Sequence, residues 1–401
     1  MHYNLLNYGV TTGGCNNTTN NVNDKNQYLH TILSHVNPHI LSVNEINCSV
    51  QTYDILLTGC LDAYMPGKFE RIDKTCNATN PLSNMVYYRA DLLEFYKQDA
   101  IQTNVRDINV VRFFYKSPDL AVTHDTTFIT LMVAHLKAGT GSDDAQERAH
   151  ETNDAMQYLS QHPNLPNRIF LGDLNIYESN EQAFENLTEY SNAALRFYDP
   201  INEIGDWHNS SSYSHIHTQS THMSMNCFIG GGMDDRFDFI LIDKSVRDNT
   251  SKVGYMPDSY TTVGQDGQHF NKTLIESPAN GSAPSNVLDA LYNMSDHLPL
   301  YCDLMFEGQL GVYEFMPDFN IRINSPVKDN LVIEFDKNPG KRKEFKLEIF
   351  SPSGLNHFIK SYKPDSSKLT IPVHFLSSGI YYLRIQDEMN AVLTVKFLVV
   401  K

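Results

Sequence analysis

Six residues of this chain have types and settings suited to a phosphate ester and a divalent cation. Glu45 and Asp296 are hard oxygen donors of the kind that hold Mg²⁺ or Mn²⁺, ions that keep several waters and bind one or two carboxylates together with a substrate phosphate. His135 and His297 can donate hydrogen bonds to phosphate oxygens or move a proton near neutral pH. Asp173 and Asn175 stand two apart on an extended segment, so both side chains point to one side and can orient a water or a metal ligand. Together these types describe metal-assisted hydrolysis of a phosphate ester: a Lewis acid, a positioned water, and donors on the charge of the transition state.

Each residue directly follows or ends an apolar run. Ile40-Leu41-Ser42-Val43 leads into Asn44-Glu45, Phe128 to Val133 into His135, and Arg168-Ile169-Phe170-Leu171 into Gly172-Asp173-Leu174-Asn175. Short β-rich runs bounded by turn residues predict buried strands, and polar residues gathered at strand ends are how a sheet presents chemistry at one edge. Between the His135 and Asp173 strands, Ala145, Ala149, Thr152, Met156 and Leu159 recur near helical spacing behind the acidic Asp143-Asp144. This predicts a crossover helix with acids at its positive end, and Arg148 either on its surface or reaching toward the site. Taken singly, Glu45 reads as a solvated strand end, His135 as a hydrogen-bonded core histidine, and Asp173 and Asn175 as turn residues. The chemistry rests on the set.

That set resembles the endonuclease/exonuclease/phosphatase superfamily. The matching pieces are Tyr3-Asn4, Asn44-Glu45, His135, Gly172-Asp173-Leu174-Asn175, Arg236-Phe237-Asp238-Phe239 and Ser295-Asp296-His297, in family order across residues 1–308. The resemblance implies a DNase I-like four-layered α/β sandwich. It makes Glu45 the principal metal ligand, with Asn4 and Asp296 in the same metal region. Asp173 would orient or activate the attacking water, and Asn175 would contact phosphate or a second metal position. His135 would stabilise the pentavalent phosphate or help the leaving group. His297 would act on the nucleophile or phosphate side, with Asp238 holding it. The implied cofactor is Mg²⁺ or Mn²⁺, with Ca²⁺ a further candidate. The acidic partner that nuclease-type members give the first histidine has no counterpart that can be placed between Glu70 and Asn84.

At 401 residues the chain has room for one domain of about 300 residues and a smaller one. The formal charge is −16. Residues 325–401 carry 12 Lys or Arg against 8 Asp or Glu, net +4, which leaves −20 for residues 1–324. An acidic catalytic domain argues against tight, non-specific nucleic-acid binding, which needs a basic footprint, and shifts weight toward lipid or small phosphodiesters. No apolar stretch of about 18 or more residues occurs, so no transmembrane segment is expected. Met1 opens directly on the first expected core strand, His2 to Asn7, with no leader in view. A cytoplasmic protein, or one read after removal of a leader, is therefore expected. The six cysteines show no zinc-like spacing, and Cys60 and Cys76 bracket a short loop that a disulfide would suit in an oxidising compartment.

After Asn324 the pattern changes to short alternating strands: Leu331 to Phe335, Phe345 to Phe350, Gly379 to Ile385 and Val392 to Val400, with a turn at Ser353-Gly354. Regularly spaced strands of this kind predict a small all-β, Ig-like sandwich. The segment resembles the type A sorting domain of the type IX secretion system of Bacteroidetes. The matching pieces are Ser325-Pro326-Val327-Lys328-Asp329-Asn330-Leu331, Phe350 to Gly354, Ser378-Gly379-Ile380-Tyr381 and Lys396-Phe397. The resemblance implies export by that machinery to the cell surface or beyond, with a leader already removed. Domains are thus expected at 1–308 and 325–401. Residues 309–324 would form a linker, broken by Gly311, Pro317 and Asn320.

The stretch Trp207 to Gly232 holds His208, His215, His217 and His222 among many Ser and Thr. It reads as a polar surface loop that orders the Asp238 strand, as a substrate-facing loop using His217 to Thr221, or as a zinc site. Thr11 to Asn23 reads as a loop over the rim. For the whole chain the expectation is a monomeric, secreted nuclease acting on DNA or RNA. The alternatives are a lipid or small-molecule phosphodiesterase or phosphatase, and a catalytically silent binding protein on the same fold.

Overall fold

Alternation along the central strands decides which face each side chain takes. Leu131 and Val133 lie in one buried cluster while Met132 and Ala134 lie in another; Ile169 and Leu171 part in the same way from Phe170, and Ile240 and Ile242 from Phe239 and Leu241. Strands buried on both faces read as unbroken apolar runs, yet successive side chains still go to opposite sides. Continuing that alternation puts His135, Asp173 and Asp238 on the face shared with Val133, Leu171 and Ile240.

The computed structural model describes residues 1–401 apart from 12–13, 78–79, 119, 121–123, 125, 225, 307–320, 336–344, 353, 363–367 and 387–391. The chain divides into two compact units, Met1–Gln309 and Leu310–Lys401. The strands of the first are β1 (His2–Tyr8), β2 (Ile40–Asn47), β3 (Phe69–Arg71), β4 (Leu82–Arg89), β5 (Leu93–Ile101), β6 (Ile108–Tyr115), β7 (Phe128–His135), β8 (Arg168–Asp173), β9 (Phe197–Tyr198), β10 (Asp238–Asp243), β11 (Val253–Tyr255), β12 (Thr261–Thr262), β13 (Leu300–Tyr301) and β14 (Leu304–Phe306). They form two six-stranded sheets, ordered β12-β13-β1-β2-β4-β3 and β5-β6-β7-β8-β10-β9, with β11 and β14 paired separately.

One core cluster joins the helices Val22–Val36 and Ser285–Met294 to the first sheet, and the first sheet to the inner face of the second. Another joins the outer face of the second sheet to the helices Ser142–Gln161 and Gln182–Thr188. The order helix, sheet, sheet, helix is the four-layered α/β sandwich. Helix Ser142–Gln161 buries Arg148, Glu151, Thr152, Ala155, Met156 and Leu159, a stripe at helical spacing. The crossover helix is therefore where expected, but Arg148 is not on its surface: it is 1% exposed.

In the second unit, β15 (Ile321–Ile323), β16 (Asn330–Phe335), β17 (Phe345–Phe350), β18 (Asn356–Tyr362), β19 (Lys368–Pro372), β20 (Gly379–Gln386) and β21 (Val392–Val399) make a three-stranded and a four-stranded antiparallel sheet. Alternate residues Leu331, Ile333 and Phe335 meet Leu347, Ile349, Leu383 and Ile385 in a single core, as two faces of a small sandwich must. Of the linker expected at 309–324, residues 309–320 lie outside those described, and Ile321–Ile323 pairs with β16.

The disulfides differ from the pairing that sequence spacing suggested. Cys76 joins Cys48, Cys15 joins Cys227, and Cys60 is a buried free thiol. Cys60 sits inside the helical stretch after Val50–Leu56 and packs in the main core, while Cys76 is bonded to Cys48.

Candidate active site

Strand register assembles the site. β7 and β8 run parallel and end together with His135 opposite Asp173, while β10 runs antiparallel and starts with Asp238 opposite the same Asp173. Gly172 makes this approach possible: a Cβ there would collide with the Ala134 carbonyl, and its φ of +150° is one that side chains rarely adopt. From the facing sheet, β1 presents His2 and Asn4, alternate residues on one side of the strand. The β2 residue opposite Asn4 is Asn44, whose Oδ1 accepts the Asp173 N–H at 2.8 Å and so ties the two sheets together. Three non-glycine residues here, Asn7, Glu45 and Asn175, adopt left-handed φ of 51°, 57° and 51°. Strain of that kind persists only where surrounding contacts hold it, and it gathers at functional sites. At Glu45 it coincides with a bulge in the β2–β4 ladder that turns the carboxylate toward Asn4.

Asn4 is the hub. Its Nδ2 donates to Glu45 Oε1 at 3.1 Å and Asp173 Oδ2 at 2.9 Å and lies 3.4 Å from His297 Nε2, while its Oδ1 accepts the Leu6 N–H. Asn7, the other asparagine of that segment, serves through its backbone, donating its N–H to Glu45 Oε2 at 2.9 Å. His297 Nδ1 meets Asp238 Oδ2 at 2.7 Å, and His2 Nε2 stands 3.4 Å from the other oxygen of that carboxylate. Asp296 Oδ2 accepts the Ile229 N–H at 2.8 Å and the Gln219 amide at 3.4 Å. Asn175 donates from its backbone to Asp173 Oδ1 and from its side chain to the Leu136 carbonyl. His135 Nε2 lies 3.4 Å from Asp173 Oδ2, while its buried Nδ1 has no hydrogen-bond partner. Among the described residues, no acid from the stretch between Glu70 and Asn84 serves His135.

Burial and neighbouring charge sort these groups by protonation. Burial works against a charged His297, but Asp238 and Asp173 outweigh it and hold its pKa well above the ordinary histidine range. Burial likewise opposes ionisation of Asp238, yet His297 and His2 keep that carboxyl below the usual carboxylate range. Asp173 is pushed up to about 7, first by burial and then by Asp238 and Glu45, with His297 pulling the other way. His135 is driven well below the ordinary value by burial, then by Arg106 and His297, and is neutral. Burial and charge thus favour the charged form of His297 beside the Asp238 carboxylate, raise Asp173 toward neutrality and favour the neutral form of His135.

The donor set fits a hard divalent cation. Oxygens of Glu45 and Asp173 and a His135 nitrogen lie within 4.8 Å of one another, as do ligand atoms of Asp173, Asp238 and His297. Glu45 is the partly open member, with 18% of its side chain exposed. Asp296 stands outside both groups, and burial followed by the Glu45 charge raises its pKa. Four carboxylates converging here leave negative charge that an oxygen-loving cation would neutralise.

Several groups at the site escape sequence reasoning. Gln219 lies in the His217 to Thr221 run that one reading of the sequence turned toward substrate; it brings its amide to 2.8 Å from His297 Nε2, a contact that nothing local records. His2 has a signal: it stands two residues before Asn4 in an apolar strand, so it shares that residue's face. Lys25, buried on helix Val22–Val36, donates to the Leu5 and Leu6 carbonyls at 2.6 and 2.7 Å and holds the turn that carries Asn7. Arg148 donates to the carbonyls of Lys137 and Gly139 and to Glu181, fixing the chain that follows His135. Of the four histidines in the Trp207–Gly232 stretch, His217 bonds backbone carbonyls and His222 is stacked between Phe228 and Tyr292. His208 and His215 pair with Asp235 and Glu203. No zinc-like group forms among them in the described residues.

Residues 325–401 match the family described as "Secretion system C-terminal sorting domain". No curated protein matches the chain. Solved structures with a similar trace include D. rerio TDP2 complexed with single-strand DNA product, at 14% identity over 76% of this chain and 96% of that chain, TM-score 0.45. The human Nocturnin catalytic domain with bound sulfate matches at 14% identity over 71% and 87%, TM-score 0.42. A beta toxin from Staphylococcus aureus matches at 12% identity over 70% and 92%, TM-score 0.39. Among the described residues, no helix is long and apolar enough to cross a membrane. The chain joins a four-layered α/β sandwich to a segment, residues 325–401, that matches the secretion system C-terminal sorting domain.

Proposed function

We propose that the first unit hydrolyses phosphodiesters with the help of a divalent cation, and that the protein is an exported nuclease. The observation that carries this reading is the convergence of Glu45, Asp173, Asp238 and Asp296 with His135 and His297 around Asn4, with the Asp238–His297 pair at 2.7 Å. Glu45 and Asp296, with Asn4 beside them, would hold Mg²⁺ or Mn²⁺; when bound, that ion supplies Lewis-acid charge on phosphoryl oxygen.

This chain's own groups then handle the protons. Asp173, poised near neutrality, accepts a proton from the attacking water as its oxygen bonds to phosphorus. His297, kept as imidazolium by Asp238, donates to a phosphoryl oxygen and stabilises the charge that gathers there. His135 is neutral and offers a single N–H, which fits a hydrogen bond to the phosphate or leaving oxygen rather than a second positive charge. Asn175 would hold the phosphate against Asp173. As the bond from phosphorus to the leaving oxygen breaks, that oxygen takes up a proton from the site or from water. The sorting domain supports export through the type IX machinery.

The deciding experiment sets supercoiled plasmid beside a small chromogenic phosphodiester, each with Mg²⁺, Mn²⁺, Ca²⁺ or EDTA. EDTA-sensitive nicking of plasmid is the expected result. Cleavage of the small ester alone would replace the nuclease with a lipid or metabolite phosphodiesterase, the reading that the −20 charge of residues 1–324 favours. No turnover of either substrate with any ion would overturn the hydrolase itself.

A further inference from the structure

The Cys15–Cys227 disulfide joins segments 212 residues apart, and each end leads within a short step to a different carboxylate of the site. On one side, Cys227 lies two residues before Ile229, whose N–H donates to Asp296 Oδ2 at 2.8 Å. On the other, Cys15 Sγ receives the Asn7 side-chain amide at 3.7 Å, while the Asn7 backbone N–H donates to Glu45 Oε2 at 2.9 Å. Leu6, Cys15 and Cys227 are buried together with Phe228 packed on them, a small apolar cluster separate from the two main cores of this unit.

The Ile229 end lies outside every strand ladder, and the Asn7 end lies in β1 where the ladder to β2 is interrupted between Asn4 and Tyr8. Residues 226–231 carry no helix or strand, and Leu6 and Asn7 both adopt left-handed φ in the stretch where the β1–β2 register shifts. Lys25 Nζ and the Asn20 side-chain amide secure the second segment from below, through the carbonyls of Leu5, Leu6 and Asn7, but nothing in those bonds links it to the Ile229 loop. That loop is itself fastened by Ser220 Oγ on the Ile229 carbonyl and by Phe228 stacked on His222, which stacks in turn on Tyr292. The disulfide is the covalent tie between the two.

We propose that Cys15 and Cys227 are positioning residues for cation binding: their bond fixes the spacing of the two backbone donors that aim Glu45 and Asp296. The proposal rests on the reading that those carboxylates hold a divalent cation. Groups that orient metal ligands through one hydrogen bond set affinity by about 10- to 100-fold, and the disulfide acts one step behind two of them.

The test is calorimetric titration of Mn²⁺ into the full-length protein and its variants, with near-UV circular dichroism to confirm folding at the titration temperature. Cys15→Ser/Cys227→Ser is expected to weaken Mn²⁺ binding by about tenfold or more. Cys48→Ser/Cys76→Ser, which opens the other disulfide, is expected to bind as wild type does. Ile229→Pro leaves both disulfides intact and deletes the N–H on Asp296, and it is expected to weaken binding like the first variant. Wild-type affinity in a folded Cys15→Ser/Cys227→Ser protein would overturn the proposal, as would equal weakening by Cys48→Ser/Cys76→Ser. Should Cys15→Ser/Cys227→Ser fail to fold, native-state reduction of the Cys48→Ser/Cys76→Ser protein opens the Cys15–Cys227 bond alone, and unchanged Mn²⁺ affinity after that reduction would overturn the proposal. A wild-type protein that binds no Mn²⁺ would instead overturn the cation reading beneath it.

Discussion

Replacing Asp238 by Asn keeps the shape of the side chain and removes one charge from the centre of the proposed mechanism. Asp238 is fully buried, 2.7 Å from His297 Nδ1 and 3.4 Å from His2 Nε2, and burial prevents water from taking its place. A hydrogen bond to an ionised partner contributes about 1.5–3 kcal/mol. Bare Coulomb attraction at that distance would be larger, roughly 6 kcal/mol at an effective dielectric of 20, but desolvation already opposes the His297 charge, so the smaller figure governs. At 1.36 kcal/mol per unit, the His297 pKa should fall by about 1–2 units. If the bond is fully expressed in the transition state, kcat falls about 10- to 100-fold, at the low edge of general acid–base effects. The assays are kcat against pH at saturating cation, and the imidazole titration followed by NMR. A folded Asp238→Asn protein whose His297 titrates as before, with kcat within about threefold of wild type, would refute the reasoning.

Two further outcomes follow from the same geometry. Glu45→Gln removes the partly open carboxylate and should raise the Mg²⁺ or Mn²⁺ concentration for half-activity by about tenfold or more, with kcat recovering at saturation; an unshifted titration would remove Glu45 from the cation site. Asp173 has a folded pKa of about 7 against an ordinary 3.8, so the folded chain holds this proton longer than the unfolded chain. Stability from this group is therefore present at low pH and lost as pH rises from about 4 to 7. Asp173→Asn should abolish turnover yet stabilise the protein in EDTA at about pH 8 by roughly 1–3 kcal/mol, measured by urea unfolding; a less stable variant would contradict it.

The strands and their ends were legible because apolar runs and polar termini are local patterns. His135, Asp173 and Asp238 end or begin their strands, and the crossover helix shows its buried stripe at helical spacing. The second unit was legible for the same reason: its strands are short, alternating and separated by turns. Arg148 was misread because a long cation on a helix is usually solvated, and only the carbonyls of Lys137 and Gly139 and the Glu181 carboxylate make its burial stable.

What the residues alone determined, then, is the set of elements and the chemical types at their ends, since both follow from periodicity and side-chain chemistry within a few positions. What only the tertiary structure decided is which of those groups meet. Asn4 reaches Asp173 across 169 positions and His297 across 293, a contact that exists because two sheets pack face to face in one register. Gln219 on His297, His2 beside Asp238, and Cys76 with Cys48 rather than Cys60 are decisions of the same kind. A shift of one residue in a strand would turn each of these side chains to the opposite face, and no local pattern records the partner waiting there.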